Sequence, residues 1–477
     1  MSIAQLLKPV PQLTNTTMKT FSLPRLKAVE STFASHAEIK RKDTPTLPPA
    51  PKELFPSSIL TPFQESIVKE DPPTRPDVYI RDTENMSVSD MGKFLKIPRA
   101  QLLELLPEGL GGELPRDMII TPSRTKHVGI MMRKASFEIV RELSGMKDSL
   151  TFSKRGWLLD GKRGVGKSAV LNFVITWARL NGFLVIYEPL AGRYARDIGD
   201  IKRSASGVYI QNEFAQNFLE ATAVRNKMSF DKIPCQLNIY GKTALDGNST
   251  EYAKRQFFHL VEKAVIEECK PPKGASEAEK LKLRLKKLAE YQEQITLPSM
   301  RERLPEPRTL WDIVDFGIQN EAFATQAVYE LFQQLRVQTT FPLLVVADEV
   351  NETLPVSQYV SKRYDDTRFN GYIPGYHLCM SRLFSRFDGE KYKRGVLLHS
   401  TSWRMRNRRN FRCELLGFKP NEIKIVKEFS PDEFANYVAH YHLQDIIFNF
   451  PKDRVDYFYM LTQGNGFQAR KLLATLY

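Results

Sequence analysis

Gly156-Trp-Leu-Leu-Asp-Gly-Lys-Arg-Gly-Val-Gly-Lys-Ser168 is the stretch on which the fold of this chain turns. Its second half has Gly161 and Gly166 separated by four residues and followed by Lys167 and Ser168, the spacing of a phosphate-binding loop. Trp157, Leu158 and Leu159 predict a buried strand before it, and residues 169–180 mix apolar and polar positions as a helix does. A loop in that setting turns the backbone N–H groups of Gly161, Lys162, Arg163, Gly164, Val165 and Gly166 toward a phosphate, at the positive end of a helix. Lys167 is expected to reach the β and γ phosphates, and the Ser168 hydroxyl to sit on Mg2+.

Farther along, residues 343–347 read Leu-Leu-Val-Val-Ala and end in Asp348 and Glu349. So apolar a strand needs burial on both faces. An acid at its carboxyl end can hold magnesium through the water shell, and a following glutamate can polarise an attacking water. Apolar strands often end in acids, but downstream of a phosphate loop the pair has a role: Asp348 for the metal, together with Ser168, and Glu349 for catalysis. Residues 183–187 and 395–399 are further apolar runs, the latter ending in Ser400, Thr401 and Ser402, which either cap the strand or sense a γ-phosphate. The expected fold is α/β: a P-loop NTPase (AAA+/STAND-like) parallel sheet with flanking helices, a proline-rich N-terminal extension and a helical C-terminal domain.

At 477 residues the chain is too long for one ordinary domain. We expect an extension over 1–78, a helical N-terminal region over 79–150, a nucleotide-binding domain over 151–420 and a helical C-terminal domain over 421–477. A charged helical insertion is expected near 262–308, from the Lys, Glu and Leu pattern of 276–294. Residues 1–29 contain no Asp or Glu and carry Lys8, Lys19, Arg25 and Lys27, the composition of a mitochondrial presequence or of a basic arm. Pro45, Pro48, Pro49, Pro51, Pro56, Pro62, Pro72, Pro73 and Pro76 make 43–77 an extended strap, either a linker or a segment laid on another surface.

Apolar positions at 91, 94, 95, 102, 103, 105 and 106 predict two short helices divided by Pro98, and a further helix is expected over 129–143. Ser430-Pro-Asp-Glu433 is a capping box, and a last helix follows Gly464-Asn465-Gly466. The four cysteines are too dispersed for a zinc site, and no apolar run is long enough to cross a bilayer.

A formal charge of +14 favours polyanionic partners, and residues 391–477 hold 15 Lys and Arg against 8 Asp and Glu. Within that portion Arg404, Arg406, Arg408, Arg409 and Arg412 lie between Trp403 and Phe411. Guanidinium forks grip phosphates and aromatic rings stack on unpaired bases, so this run is the expected RNA contact rather than a solvated loop.

Several stretches together resemble the death-associated protein 3 family, the P-loop protein of the mitochondrial ribosomal small subunit. They are Met132-Arg133-Lys134, Gly161 to Ser168, residues 310–335 with Gly317 and Ala327, residues 343–348 with Asn351, Phe429-Ser-Pro-Asp-Glu-Phe434, and Gly464-Asn465. They run in order from about residue 107 to the C-terminus. The resemblance implies GTP or GDP with Mg2+, with ATP as the alternative, and a place in the mitochondrial matrix within the ribosome. The implied partners are small-subunit ribosomal RNA and other mitochondrial ribosomal proteins, with no membrane.

No Asn-Lys-x-Asp or Thr-Lys-x-Asp guanine-reading motif occurs in the chain. The acidic pair Asp348-Glu349 also looks like that of an AAA+ or STAND-type ATPase acting on nucleic acid. Such an enzyme usually takes an arginine finger in trans; the sequence identifies none outside the basic run, although Arg470 could act as a sensor.

Overall fold

The computed structural model describes residues 77–474, apart from 84–85, 110–126, 205–207, 244, 246–275, 296–298, 355, 361–370, 385–390, 404–412, 445 and 448–453. The basic leader, the proline-rich strap, the start of the charged insertion and the arginine run lie outside the described residues.

The apolar runs form one parallel sheet. Strands β3 (Gly156–Asp160), β4 (Leu184–Glu188), β5 (Leu343–Ala347), β6 (Gly395–Ser400) and β7 (Ile423–Ile425) lie side by side in the order β7-β3-β6-β5-β4. Every pairing is parallel, with Leu398 opposite Trp157, Leu397 opposite Val345 and Ile186 opposite Val345. All positions of β3, β4, β5 and β6 are buried.

Successive side chains point to opposite faces, so each strand feeds two cores. Leu158, Leu184, Ile186, Leu343, Val345 and Leu397 pack against helices α4 (Asn212–Phe230), α6 (Leu310–Gln319) and α7 (Glu321–Val337). Trp157, Leu159, Val185, Tyr187, Leu344, Val346 and Leu398 pack on the other side against α2 (Lys134–Met146) and α3 (Lys167–Leu180). The expected charged helix is present as α5 (Glu277–Ile295), with Leu281 and Leu285 exposed.

Three elements differ from the sequence expectation. The stretch from 79 to 150 is not helical throughout: its helices are α1 (Arg99–Leu105) and α2, but β1 (Phe94–Pro98) and β2 (His127–Met131) form an antiparallel pair. This ribbon is wedged between two cores. Leu95, Ile97, Val128 and Ile130 face the α2–α3 layer, while Phe94 and Met131 face the C-terminal helices. β2 is buried at Val128 to Met131 and so shows no polar alternation, while β1 alternates only over Leu95 to Pro98, too short a run to be told from helix.

The third difference is β7. It supplies the sheet's fifth strand from within the part expected to be helical from residue 421. Helices α8 (Pro431–Leu443), α9 (Val455–Thr462) and α10 (Gly466–Leu473) follow it. The capping box forms as read, with the Glu433 amide donating to Ser430 Oγ at 3.1 Å and the Ser430 amide to Glu433 Oε2 at 2.9 Å.

Gly156 opens β3 where the neighbouring strand leaves no room for a side chain. A Cβ there would lie 2.3 Å from the Leu397 carbonyl oxygen. Gly156→Ala should therefore lower stability by about 1–3 kcal/mol, the usual cost of overpacking a core, read as a fall in the thermal unfolding midpoint. An unchanged midpoint would show that β3 and β6 separate freely.

Candidate functional site

Because the strands are parallel and buried on both faces, polar side chains emerge together at their carboxyl ends. At the end of β3 the chain turns through the glycine-rich loop into α3. Gly164 and Gly166 adopt φ of 83° and 93°, left-handed values that glycine takes without strain. Lys167 begins α3, where the first N–H groups have no partner within the helix. Its ammonium donates to the carbonyl oxygens of Gly161 and Lys162, each at 3.0 Å.

Across the edge, Asp348 follows β5 and is buried. It accepts hydrogen bonds from Ser168 Oγ at 2.6 Å, from its neighbour's backbone N–H at 2.8 Å and from Ser400 Oγ. The serine after the glycine-rich loop, the acid after β5 and the hydroxyl ending the intervening strand thus form one cluster. Thr401 Oγ1 donates instead to Asp160, at 2.8 Å. Asn351 locks the edge by exchanging two hydrogen bonds of 2.6 Å with the backbone of Ser402.

Glu349 is also buried, with a left-handed backbone (φ 59°, ψ 29°), and its carboxylate is engaged by Arg196 at 2.9 Å. Arg196 ends the turn Arg193–Arg196 that follows β4. Burial raises the proton affinity of both acids above the usual carboxylate range. Hydrogen bonds from Ser168 and Ser400 oppose this at Asp348, and the Arg196 charge opposes it at Glu349, where the Asp348 charge adds to the rise.

The outer side of the loop is covered by the C-terminal part of the chain. Arg133 is buried and donates to Val165 O at 3.1 Å, Lys427 O at 2.9 Å, Glu428 O at 3.2 Å and Glu433 Oε1 at 3.0 Å. Its guanidinium lies 4.5 Å from the centre of the Phe429 ring. Lys162 pairs with Glu428 at 2.6 Å. Asn465 Nδ2 donates to Arg163 O at 2.8 Å, and the Phe467 amide to Gly164 O at 3.0 Å.

Of the expected site residues, the structure gathers Gly161 to Ser168 with Asp348, and it directs Glu349 to Arg196. Trp403, expected to stack on RNA, is buried, and its indole N–H donates to Asp160 at 3.0 Å. An indole carries a polar donor on an apolar body and seeks a buried acceptor, which β3 provides at its end. The arginines at 404, 406, 408, 409 and 412 lie outside the described residues.

Arg133 and Asn465 carry contacts that sequence reasoning did not assign. Their appearance within short stretches resembling one family was the available signal.

Residues 130–455 match the family model described as mitochondrial ribosomal death-associated protein 3. Comparison with curated proteins gives no match.

The raised acids bear on stability. The folded protein keeps their protons to a higher pH than the unfolded chain, so stability falls as pH rises from the ordinary carboxylate values of 3.8 and 4.5 through the raised ones. Asp348→Asn removes one such group. In the protein free of nucleotide and divalent cations, the variant's stability relative to wild type should grow as pH rises through that window, measured by urea unfolding between pH 4.5 and about 8. A difference that does not vary with pH would contradict the raised proton affinity of Asp348.

Proposed function

The chain belongs to the mitochondrial ribosomal death-associated protein 3 family, which makes it a mitochondrial protein, and from that premise we propose a structural constituent of the ribosomal small subunit that binds a guanine nucleotide. The proposal further includes Mg2+ and contacts with ribosomal RNA and neighbouring ribosomal proteins. The observation that carries the nucleotide reading is the 2.6 Å hydrogen bond from Ser168 Oγ to Asp348. It brings together two residues 180 positions apart in sequence, which supports reading them as the two halves of a phosphate-and-metal site.

The residues fit such a ligand. Lys167 heads α3 beside a loop whose glycines permit close backbone approach, and its ammonium would exchange two carbonyl partners for phosphate oxygens. Magnesium is commonly held by one or two protein oxygens, with phosphates and water completing the shell, and Ser168 with Asp348 supplies such a pair. Among the described residues no group of three His, Cys, Asp or Glu side chains gathers into a metal cage, in keeping with a site that a phosphate would complete. The bound nucleotide serves mainly to stabilise the fold. Ligand a hundredfold above its dissociation constant adds about 2.7 kcal/mol.

Specific observations favour a second reading, an AAA+/STAND-type ATPase acting as a nucleic-acid-associated switch or loader. Strand β6 lies between the phosphate-loop strand and the acid strand and ends in a hydroxyl on Asp348, Glu349 follows that acid, and the C-terminal helices abut the loop. On this reading Glu349 is the base and must leave Arg196 to act. Nucleotide-dependent self-association with rapid turnover of ATP by the isolated protein would establish it over the ribosomal reading.

Lys167→Ala should weaken GDP or GTP binding by roughly a hundredfold, since a charge-assisted contact to the phosphates is lost. Glu349→Gln should leave affinity within about twofold and reduce any hydrolysis, because its carboxylate is assigned to the attacking water and not to binding. Calorimetric titration beside a phosphate-release assay separates the two, and equal affinity for wild type and Lys167→Ala would remove the phosphate-loop assignment.

The RNA part of the proposal rests on composition. Replacing Arg406, Arg408 and Arg409 together by Ala should reduce incorporation into small subunits and lower the salt slope of RNA binding by about 0.7–0.9 per lost phosphate contact. Unchanged incorporation and slope would make the run a solvated loop.

A further inference from the structure

We propose that Asn465, at the start of the last helix, is a positioning residue for phosphate binding. With the Phe467 amide and Arg133 it holds three consecutive loop carbonyls outward. The inference rests on the reading of Gly161 to Ser168 as a phosphate site.

A trans peptide unit is planar, and its C=O and N–H point in opposite directions. A loop that aims N–H groups at a ligand must therefore turn the preceding carbonyls away from it, and a protein donor on such a carbonyl fixes that orientation even where, as at Arg163, the bond is exposed. Here the Arg163 carbonyl takes Asn465 Nδ2 at 2.8 Å, the Gly164 carbonyl takes the Phe467 amide at 3.0 Å, and the Val165 carbonyl takes Arg133 Nη1 at 3.1 Å. The N–H groups of Gly164, Val165 and Gly166 are thereby set to the opposite side, toward the cradle. All three donors depend on the C-terminal part of the chain. Two belong to the start of α10, and the third is fixed by Glu433 and the carbonyls of Lys427 and Glu428.

The contact is shaped to leave no play. A Cβ on Gly164 would lie 2.6 Å from Asn465 Oδ1 and 2.6 Å from Phe467 Cβ. On the other side, a Cβ on Gly464 would lie 2.4 Å from the Phe429 carbonyl oxygen. Asn465 uses both ends of its amide: Oδ1 caps α10 by accepting from the amides of Phe467 at 3.1 Å and Gln468 at 3.2 Å, while Nδ2 serves the loop. An aspartate, serine or threonine would cap equally well, but none carries the amide donor. Coupling of this kind is reciprocal, so a phosphate that orders the loop also favours the docked position of α10.

The test separates capping from positioning. Asn465→Ser keeps a neutral capping oxygen but has no amide N–H to reach Arg163. The full chain is titrated with fluorescent GDP and its unfolding midpoint is measured alongside. Exchange of the 164–166 amides is followed by mass spectrometry in the nucleotide-free protein.

We expect affinity to fall about three- to tenfold, as for one lost hydrogen bond, with the midpoint nearly unchanged and loop exchange faster. If Lys167→Ala loses binding but Asn465→Ser binds GDP as wild type does, the phosphate loop stands and the positioning role is overturned. If Lys167→Ala also binds as wild type does, the phosphate-loop reading falls and this inference with it. Should Asn465→Ser fail to fold, Arg133→Lys tests the same carbonyl set. It keeps a charge for Glu433 but cannot serve Val165, Lys427 and Glu428 together, and unaltered GDP affinity and loop exchange in it would overturn the proposal.

Discussion

Strands β3, β4, β5 and β6 of the central sheet keep neither face in water, and the rest of the molecule follows from that constraint. With β3, β4, β5 and β6 buried along their whole length, polar groups can leave the sheet only at its ends. Parallel pairing brings the carboxyl ends together: Glu188 lies opposite Ala347, which precedes Asp348, and Ser400 lies opposite Leu159, which precedes Asp160. Each acid that surfaces there is met by donors, because a buried carboxylate without partners would be strongly unfavourable. Asp160 takes Thr401 and Trp403, Asp348 takes Ser168 and Ser400, and Glu188 takes Arg193 and Tyr194. The candidate site is one part of this polar rim, distinguished by the glycine-rich loop beside it.

The second organising element is the ribbon β1–β2, which sends side chains into both the core of the sheet and that of the C-terminal helices. Phe94 stacks on His440 of α8, with ring centroids 4.0 Å apart, and the same imidazole lies where a Cβ on Gly129 of β2 would clash. Burial lowers the His440 pKa to about 3, so the ring stays neutral at physiological pH and packs as an aromatic. Immediately after β2, Met132 and Arg133 lead into α2, and it is Arg133 that reaches both the loop and the C-terminal segment. The ribbon therefore fixes where a charged side chain meets the glycine-rich loop.

What was legible in the sequence follows from the same physics. Four strands could be read because each is too apolar to leave a face exposed, and the loop could be read because glycine, lysine and serine stand at fixed spacing. The ribbon could not, since β2 is buried over most of its length and β1 alternates over too few residues to show a period. Neither could β7, whose three residues, Ile423, Lys424 and Ile425, are too few to show a period. Trp403 was assigned by its arginine neighbours, whereas its indole N–H is satisfied by a residue 243 positions earlier. Asn465 was read as part of a turn. Its contact with Arg163 spans 302 positions, and no local pattern encodes a pairing so distant.

The placement of Glu349 completes the logic of the rim. A non-glycine residue in the left-handed region costs about 1–2 kcal/mol, and a second buried carboxylate directly after Asp348 adds repulsion. Neither cost serves the sheet, which is already complete at Ala347. Arg196 offsets the charge, and the left-handed turn directs Glu349 toward it, so the acid is tolerated as one half of an ion pair. Among the described residues Asp348 takes neutral donors, with the charge of Lys167 acting on it as well, whereas Glu349 is paired directly with a guanidinium. Added positive charge at this edge would relieve Asp348 first. That asymmetry, set by the protein's own residues, is what supports the proposed placing of Mg2+ at the Ser168–Asp348 pair.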